Sequence, residues 1–372
     1  MKRRGIVAVS FVLMGLLLTG CGNTSNKADT LGSANSTNSE KKEITLRIGA
    51  GHSESNPWIA ALDDFFVSEV SKRVEENTDY SINWVKSYGG SVISVGNELQ
   101  GTQDGLVDIS NIILVFENSR LPLQAMSYQC PFSCPDPLVA AKTLRTMMDE
   151  VPEMTSDFEK YNTKLLGMGI SDPYVLFSKK KINTLDDLSG MKIGAAGTNL
   201  TWVEGTGAVG VQTNLNDTYQ NLQTNVCDAT IQPLHSCVTL KIYEVAPYYV
   251  ETNFNAIAPL NAITINMDTW NSLPTEVQNI LAEVGDEYLE YEANYISSVY
   301  EEDLKVLEEN SCDIDRLDQA VKVEWASKLP DTVHSLVETL NASGYDGTKI
   351  VSRYFEILQE NGVEKIRDWK VD

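Results

Sequence analysis

Apolar side chains recur along this chain with two spacings, and the alternation between them lays out most of the elements. Residues 44–50 alternate apolar and polar positions and run into Gly49, Ala50 and Gly51, which predicts a first strand ending in a loop. Asn56 offers an N-cap and Pro57 a first helical position, and Ile59, Leu62, Phe66, Val70 and Val74 place one apolar face on a helix through about residue 76. Residues 81–85 read as a second strand, a short helix after Gly89 and Gly90 reaches Leu99, and residues 107–114 read as a third strand. Strand and helix in alternation predict a βαβ lobe with a largely parallel sheet.

Two runs at 165–170 and 174–178 read as strands that carry the chain into a second lobe. The segment LDDLSGMKIGAAGTNLTW, residues 185–202, then reads as a short helix, a turn at Ser189 and Gly190, a buried strand over 191–196 and a new helix start at Gly197, Thr198 and Asn199. A helix start at a strand's carboxyl end is where open α/β sheets bind ligands. Residues 228–233 and 257–267 read as strands, the second returning to the first lobe. The longest helical pattern covers 274–310, with Val277, Leu281, Val284, Tyr288, Tyr291 and Tyr295 spaced by threes and fours. At 1.5 Å per residue it would be roughly 50 Å long, more than one lobe, so it is expected to brace both. Helical segments at 319–340 and 349–359 finish the chain. The expected layout is α/β, with lobe 1 made of 44–171 and about 257–295, lobe 2 of 172–256 and about 296–345, and a C-terminal helical segment at 346–372.

The first residues follow another logic. Lys2, Arg3 and Arg4 precede an apolar stretch at 6–18 that is too short to span a bilayer, which predicts a signal peptide over 1–20. Leu18-Thr19-Gly20-Cys21 resembles a bacterial lipobox, which implies that Cys21 becomes the lipidated first residue of the mature chain and a lipid anchor in the membrane. Residues 21–43, rich in Asn, Ser, Thr and Gly, read as a flexible tether.

Composition narrows the chemistry. The chain has 372 residues, enough for two cores, and its 29 basic against 52 acidic residues give a net charge of −23. That charge disfavours nucleic acid and anionic lipid surfaces as partners. Of six cysteines, Cys130 with Cys134 and Cys227 with Cys237 are close enough in sequence to pair outside the cytoplasm, leaving Cys312 over; free buried thiols are the alternative. His52, His235 and His334 show no metal-ligand spacing, and no metal or cofactor is expected. Gly205, Gly207 and Gly210 fit G-x-G-x-x-G, but they follow a helical segment and precede a strand, the reverse of a dinucleotide site, and read as an α-to-β turn. No G-x-S-x-G elbow and no H-E-x-x-H occurs, which argues against an enzyme.

Several segments in order resemble the solute-binding proteins of TRAP transporters, of the dicarboxylate-receptor type. Leu99 to Ile109, LQGTQDGLVDI, is similar to that family's helix-to-strand signature. Tyr219 to Asp228 resembles its Y-x-x-L-Q-x-x-x-x-D, and Trp270 to Gln278 its W-x-x-L-P-x-x-x-Q. The 185–202 segment resembles D-L-x-G-x-K-I-R-x-P, except that Gly194 stands where the family carries an Arg that clamps a ligand carboxylate. The likeness runs from about residue 44 to 361. It implies a two-lobed, periplasmic-binding-protein-like fold that captures a small organic solute between its lobes and delivers it to TRAP membrane subunits.

On this reading the ligand residues sit at strand ends. His52, Ser53 and Trp58 surround the first strand-to-helix junction, and Asn111 and Arg120 lie at and beyond the end of the third strand. From the other lobe come Tyr174, where some family members have a second Arg, Gln232, where the family has an Asn, and His235. Gly194, Asn199 and Trp202 complete the set, the last two near a helix start whose N–H groups can receive an acceptor. Each has a structural alternative, such as core packing for Trp58 or an ion pair with Glu117 for Arg120. Together they describe a neutral, amide-rich and aromatic cleft, and a solute that is neutral or partly aromatic. The rival readings are a binding protein of an ABC importer, a ligand sensor and an extracytoplasmic enzyme.

Overall fold

The computed structural model describes residues 41–371, and the signal-peptide, lipobox and tether readings at residues 1–40 lie outside the described residues. The strands β1 (Lys42–Gly49), β2 (Tyr80–Ser87), β3 (Ile109–Ile113), β4 (Thr163–Gly169) and β10 (Asn261–Asn266) form one sheet in the order β2-β1-β3-β10-β4. A second sheet holds β5 (Tyr174–Ser178), β6 (Lys192–Ala195), β7 (Val209–Gln212), β8 (Ala229–Pro233), β9 (Tyr248–Val250) and β11 (Asp313–Asp315), ordered β11-β9-β5-β8-β6-β7. The fold is the expected two-lobed α/β arrangement.

Alternation explains the first sheet. In β1, Leu46 and Ile48 turn inward and are fully buried, and the strand pairs in parallel with β2 (Leu46↔Trp84) and with β3 (Gly49↔Ser110). β10 is the exception to the parallel sheet, lying antiparallel between β3 and β4 because it returns from the other lobe. The two crossing segments hold each other: Pro173 bridges Ala256, Ser171 N–H donates to the Ile257 carbonyl and Ile257 N–H to Ser171 Oγ at 2.8 Å.

The long helix, Thr275–Glu309, joins both lobes as its length implies. Val277, Leu281, Val284 and Tyr288 pack with Leu46, Phe66 and Ile263 of lobe 1, while Leu304 and Leu307 pack with Val175 and Tyr249 of lobe 2. The C-terminal helices add a second brace: Trp325 Nε1 donates to the Trp202 carbonyl at 2.7 Å and Thr332 Oγ1 to the Gln129 carbonyl at 2.7 Å.

Some elements differ from the pattern. The short helix expected to end at Leu99 instead begins there, as Glu98–Gln103, because the chain before it turns through Gly89, Gly90 and Gly96 at positive φ. Residues 319–340 split into Gln319–Lys328 and Thr332–Ala342, since Pro330 has no N–H to continue the ladder. β9 and β11, three residues each, have no counterpart in the sequence pattern. The first helix runs Pro57–Ala61, a π-helical turn Leu62–Val67, and Ser68–Asn77. Cys130, Cys134, Cys227, Cys237 and Cys312 are all free and buried, so neither possible disulfide forms.

Candidate functional site

β1 and β3 lie side by side, so the loop after Gly49 runs along the end of β3. Gly51 is pressed into the 94–98 turn: a Cβ there would stand 2.4 Å from Val95 N and 2.5 Å from Glu98 Oε1. Glu98 holds that turn by accepting the Gly96 N–H at 2.7 Å, and burial pushes its pKa up to about 8. His52 follows, almost fully buried, edge-on to Trp58 with ring centroids 5.2 Å apart. Burial pushes the His52 pKa down to about 4, so its ring is neutral at neutral pH. His52 Nδ1 and Trp58 Nε1 have no hydrogen-bond partner. Ser53, at the loop tip, instead shares a 2.7 Å hydroxyl contact with Ser55.

Asn111, fully buried in β3, has no partner for either amide atom. On the neighbouring strand Asn261 donates Nδ2 to Glu292 Oε1 at 3.4 Å and leaves its own Oδ1 unpartnered. Glu292 comes from the long helix; Ile170 N–H donates to its Oε2 at 2.7 Å, and the Tyr288 hydroxyl lies 3.2 Å from its Oε1. Burial raises the Glu292 pKa to about 8, against the opposing pull of those donors.

In the second lobe the sequence-selected residues divide. Asn199, in the turn Gly197–Val203 after β6, is fully buried; neither amide atom makes a full hydrogen bond, and the Tyr174 hydroxyl lies beside it. Tyr174 and Trp202 are core residues: their rings meet edge-on at 5.4 Å, Trp202 stacks on Phe254 at 5.1 Å, and its Nε1 donates to the Tyr128 carbonyl at 2.8 Å. Gln232 is buried with Nε2 3.5 Å from Thr218 Oγ1. Around Gly194 little space remains, since a Cβ would meet Thr213 Cγ2 at 3.0 Å and Cys227 Sγ at 3.1 Å.

His235 is tied down rather than free. Its Nδ1 lies 2.9 Å from both carboxylate oxygens of Asp303 and its Nε2 3.1 Å from the Tyr295 hydroxyl, both on the long helix, while its backbone N–H donates to Asp172. Burial works to lower its pKa, but Asp303 beside it outweighs that and the net shift is upward. Arg120 is committed as well, clamping Glu117 with two 2.7 Å hydrogen bonds.

The lobes touch around these groups. Asn216 Nδ2 donates to the Gly51 carbonyl at 3.4 Å, and Gly197 packs on Val115 so closely that a Cβ would stand 2.3 Å from the Val115 carbonyl oxygen. His52 and Trp58 meet after β1, while Asn111 in β3 and Asn199 after β6 are each fully buried, one in each lobe. Ser53, Arg120, Trp202 and His235 have partners of their own, and the Tyr174 hydroxyl stands beside Tyr128 and Asn199. Sequence reasoning missed Asn261, Glu292 and Asn216. Glu292 carried a signal: it lies four residues beyond Tyr288 on the buried stripe of the long helix, a charge at a core position.

Comparison with known proteins comes from three directions. Residues 48–339 match the DctP family, described as bacterial extracellular solute-binding protein, family 7. The ectoine-binding periplasmic protein TeaA of Halomonas elongata is 21% identical over 318 residues, 84% of this chain and 86% of TeaA. A TRAP periplasmic solute-binding protein from Desulfovibrio salexigens has a similar structure, with TM-score 0.72, 23% identity, and coverage of 85% of this chain and 96% of the other. A TRAP periplasmic solute-binding protein from Haemophilus influenzae with bound L-gulonate gives 0.71 at 21% identity, covering 85% of this chain and all of the other (100%).

Proposed function

Since the chain belongs to the family 7 bacterial extracellular solute-binding proteins, receptors that pass small organic solutes to TRAP-type transporters, we propose that its own solute is uncharged and is held between the lobes by neutral side chains. The observation that carries this reading is that buried polar atoms lack a full hydrogen bond on candidate residues of both lobes, His52, Trp58 and Asn111 in one and Asn199 in the other. Leaving a buried polar group unpaired costs about 1–3 kcal/mol, so such a group calls for a partner that arrives from outside. None of these side chains is a cation. Gly194 and Tyr174 replace the Arg residues of the resemblance, and Arg120 already serves Glu117. A carboxylate buried without a counter-charge costs several kcal/mol, while micromolar binding totals only about 8 kcal/mol.

On this reading the protein is a receptor that releases its solute unchanged, anchored through lipid on Cys21 and meeting its permease at the membrane surface. Among the described residues no helix is long and apolar enough to cross a membrane. Mass spectrometry of the solute released from purified protein is expected to show a neutral molecule in stoichiometric amount, and calorimetry with succinate or malate no tight binding. Submicromolar affinity for either diacid would sink the reading. For the anchor, Cys21→Ser should abolish membrane retention; a variant that stays on the membrane with unchanged mass removes that part.

A further inference from the structure

Resting on the reading of an uncharged solute between the lobes, we infer that the solute is an uncharged planar ring with an N–H beside a carbonyl on two of its edges, as in a hydantoin or a pyrimidine base. Two carboxamides carry this inference. Asn111 in β3 and Asn199 after β6 are fully buried; Asn111 has no partner for Oδ1 or for Nδ2, and Asn199 makes no full hydrogen bond although the Tyr174 hydroxyl lies beside it. A primary amide holds an acceptor and donors side by side, so it meets an N–H and C=O edge with two parallel hydrogen bonds, as Asn and Gln meet the edge of adenine. One carboxamide belongs to each lobe. The close packing of Gly197 on Val115 brings the turn that carries Asn199 against the segment that continues β3 beyond Asn111, so two edges of one ring are read together only when the lobes meet.

Other solute classes fit the unpartnered atoms less well. A carboxylate offers acceptors only, which would suit the two Nδ2 groups but would set its oxygens against the Oδ1 atoms of Asn111, Asn199 and Asn261. The neutral His52 supplies no charge to offset that, and the Arg120 fork is taken by Glu117. A polyol matches donors to acceptors but makes no use of the His52 and Trp58 pair, which presents aromatic surface together with an unpartnered Nδ1 and an unpartnered Nε1.

The test is calorimetry of solute-free protein with uracil, hydantoin, pyroglutamate, succinate and myo-inositol, alongside X-ray scattering of each mixture. Uracil or hydantoin should bind saturably and compact the protein. That binding should weaken at least about tenfold in Asn111→Leu and in Asn199→Leu, the loss expected for one two-point contact. The melting temperature of both variants without solute should match or exceed that of the parent, because each substitution removes a buried amide that makes no full hydrogen bond. A structural role would lower it. The inference is overturned if neither neutral ring binds, if ring binding survives both substitutions, or if both variants melt well below the parent. Binding and compaction with inositol, succinate or pyroglutamate but neither neutral ring would remove the ring and keep solute capture. Protein that carries no solute from growth medium, binds no probe and never compacts would remove both.

Discussion

At the scale of single residues, the acid groups buried along the hinge make the fold sensitive to pH in one direction. Burial raises the pKa of Glu292 to about 8 and that of Asp172 to about 7; burial pulls His235 down, but Asp303 overcomes it and the net direction is upward. A group whose pKa is higher in the folded chain than in the unfolded chain stabilises the fold fully below its unfolded value. It loses that contribution as pH rises through its folded value. For Glu292 the window runs from about 4.5 to about 8. This residue's contribution should therefore decline as pH is raised from 5 to 8, by a few kcal/mol at most, since a tenfold change in proton affinity is worth about 1.4 kcal/mol; buried His52, with its pKa lowered to about 4, works in the opposite direction up to its unfolded value of 6.5. Glu292→Gln keeps the shape and the contacts to Asn261 and Ile170 that an amide can imitate, and it removes the titration. Urea unfolding at pH 5, 6, 7 and 8 should give a flatter profile for this variant than for the parent; parallel profiles would show that Glu292 does not take up a proton in this range.

At the scale of elements, the long helix seats its axis on β4 through two glycines. A Cβ on Gly285 would stand 2.2 Å from the Leu166 carbonyl oxygen, and a Cβ on Gly167 would stand 2.2 Å from the Gly285 carbonyl oxygen. Backbone thus meets backbone, with no side chain between to give way. Gly285→Ala sets two effects against each other: alanine favours a helix by about 1 kcal/mol over glycine, and overpacking costs about 1–3 kcal/mol. The carbonyl contact cannot rotate aside, so the net effect should be a loss, read as a lower urea midpoint at unchanged slope. A gain would mean that the helix stands further from the strand.

The long helix was legible because Val277, Leu281, Val284 and Tyr288 repeat at helical spacing, and β1, β3, β5 and β8 because their apolar runs are bounded by turn residues. The three-residue strands β9 and β11 have no period to detect. Trp202 and Tyr174 look like binding residues in the sequence because aromatic side chains serve either purpose; in the structure the Trp202 ring packs on Phe254, and the Tyr174 ring packs on Tyr128 and Trp202. Asn111 was legible as a polar residue near the end of the third strand, although it sits in the middle of Ile109–Ile113, and Asn199 as one at a helix start; what surrounds their amides is a property of the three-dimensional structure. Asn261 and Asn216 could not be found, since their neighbours Glu292 and Gly51 are remote in sequence.

At the scale of the whole molecule, the proposed capture between the lobes draws on the free energy of bringing them together, and Gly197 offers a way to alter that alone. Gly197 has a φ of +49°, and its Cα faces the Val115 carbonyl of the opposite lobe with room for no Cβ. In Gly197→Ala the backbone strain, about 1–2 kcal/mol for a left-handed residue, is present whether the lobes are together or apart. On the proposed motion, the 2.3 Å approach to Val115 is lost when they part. A solute can favour the joined form only by its difference in affinity between the two forms. The clash therefore subtracts directly from apparent affinity, and about 1.4 kcal/mol is a factor of ten. Gly190→Ala separates the two effects, because Gly190 also has positive φ, +75°, but nothing stands within 4 Å of its Cβ position. Both variants should melt below the parent. Only Gly197→Ala should bind the co-purified solute at least about tenfold more weakly and remain expanded in scattering at solute concentrations that compact the parent. Equal affinity in the two variants would place the contact between Gly197 and Val115 outside the motion that captures the solute.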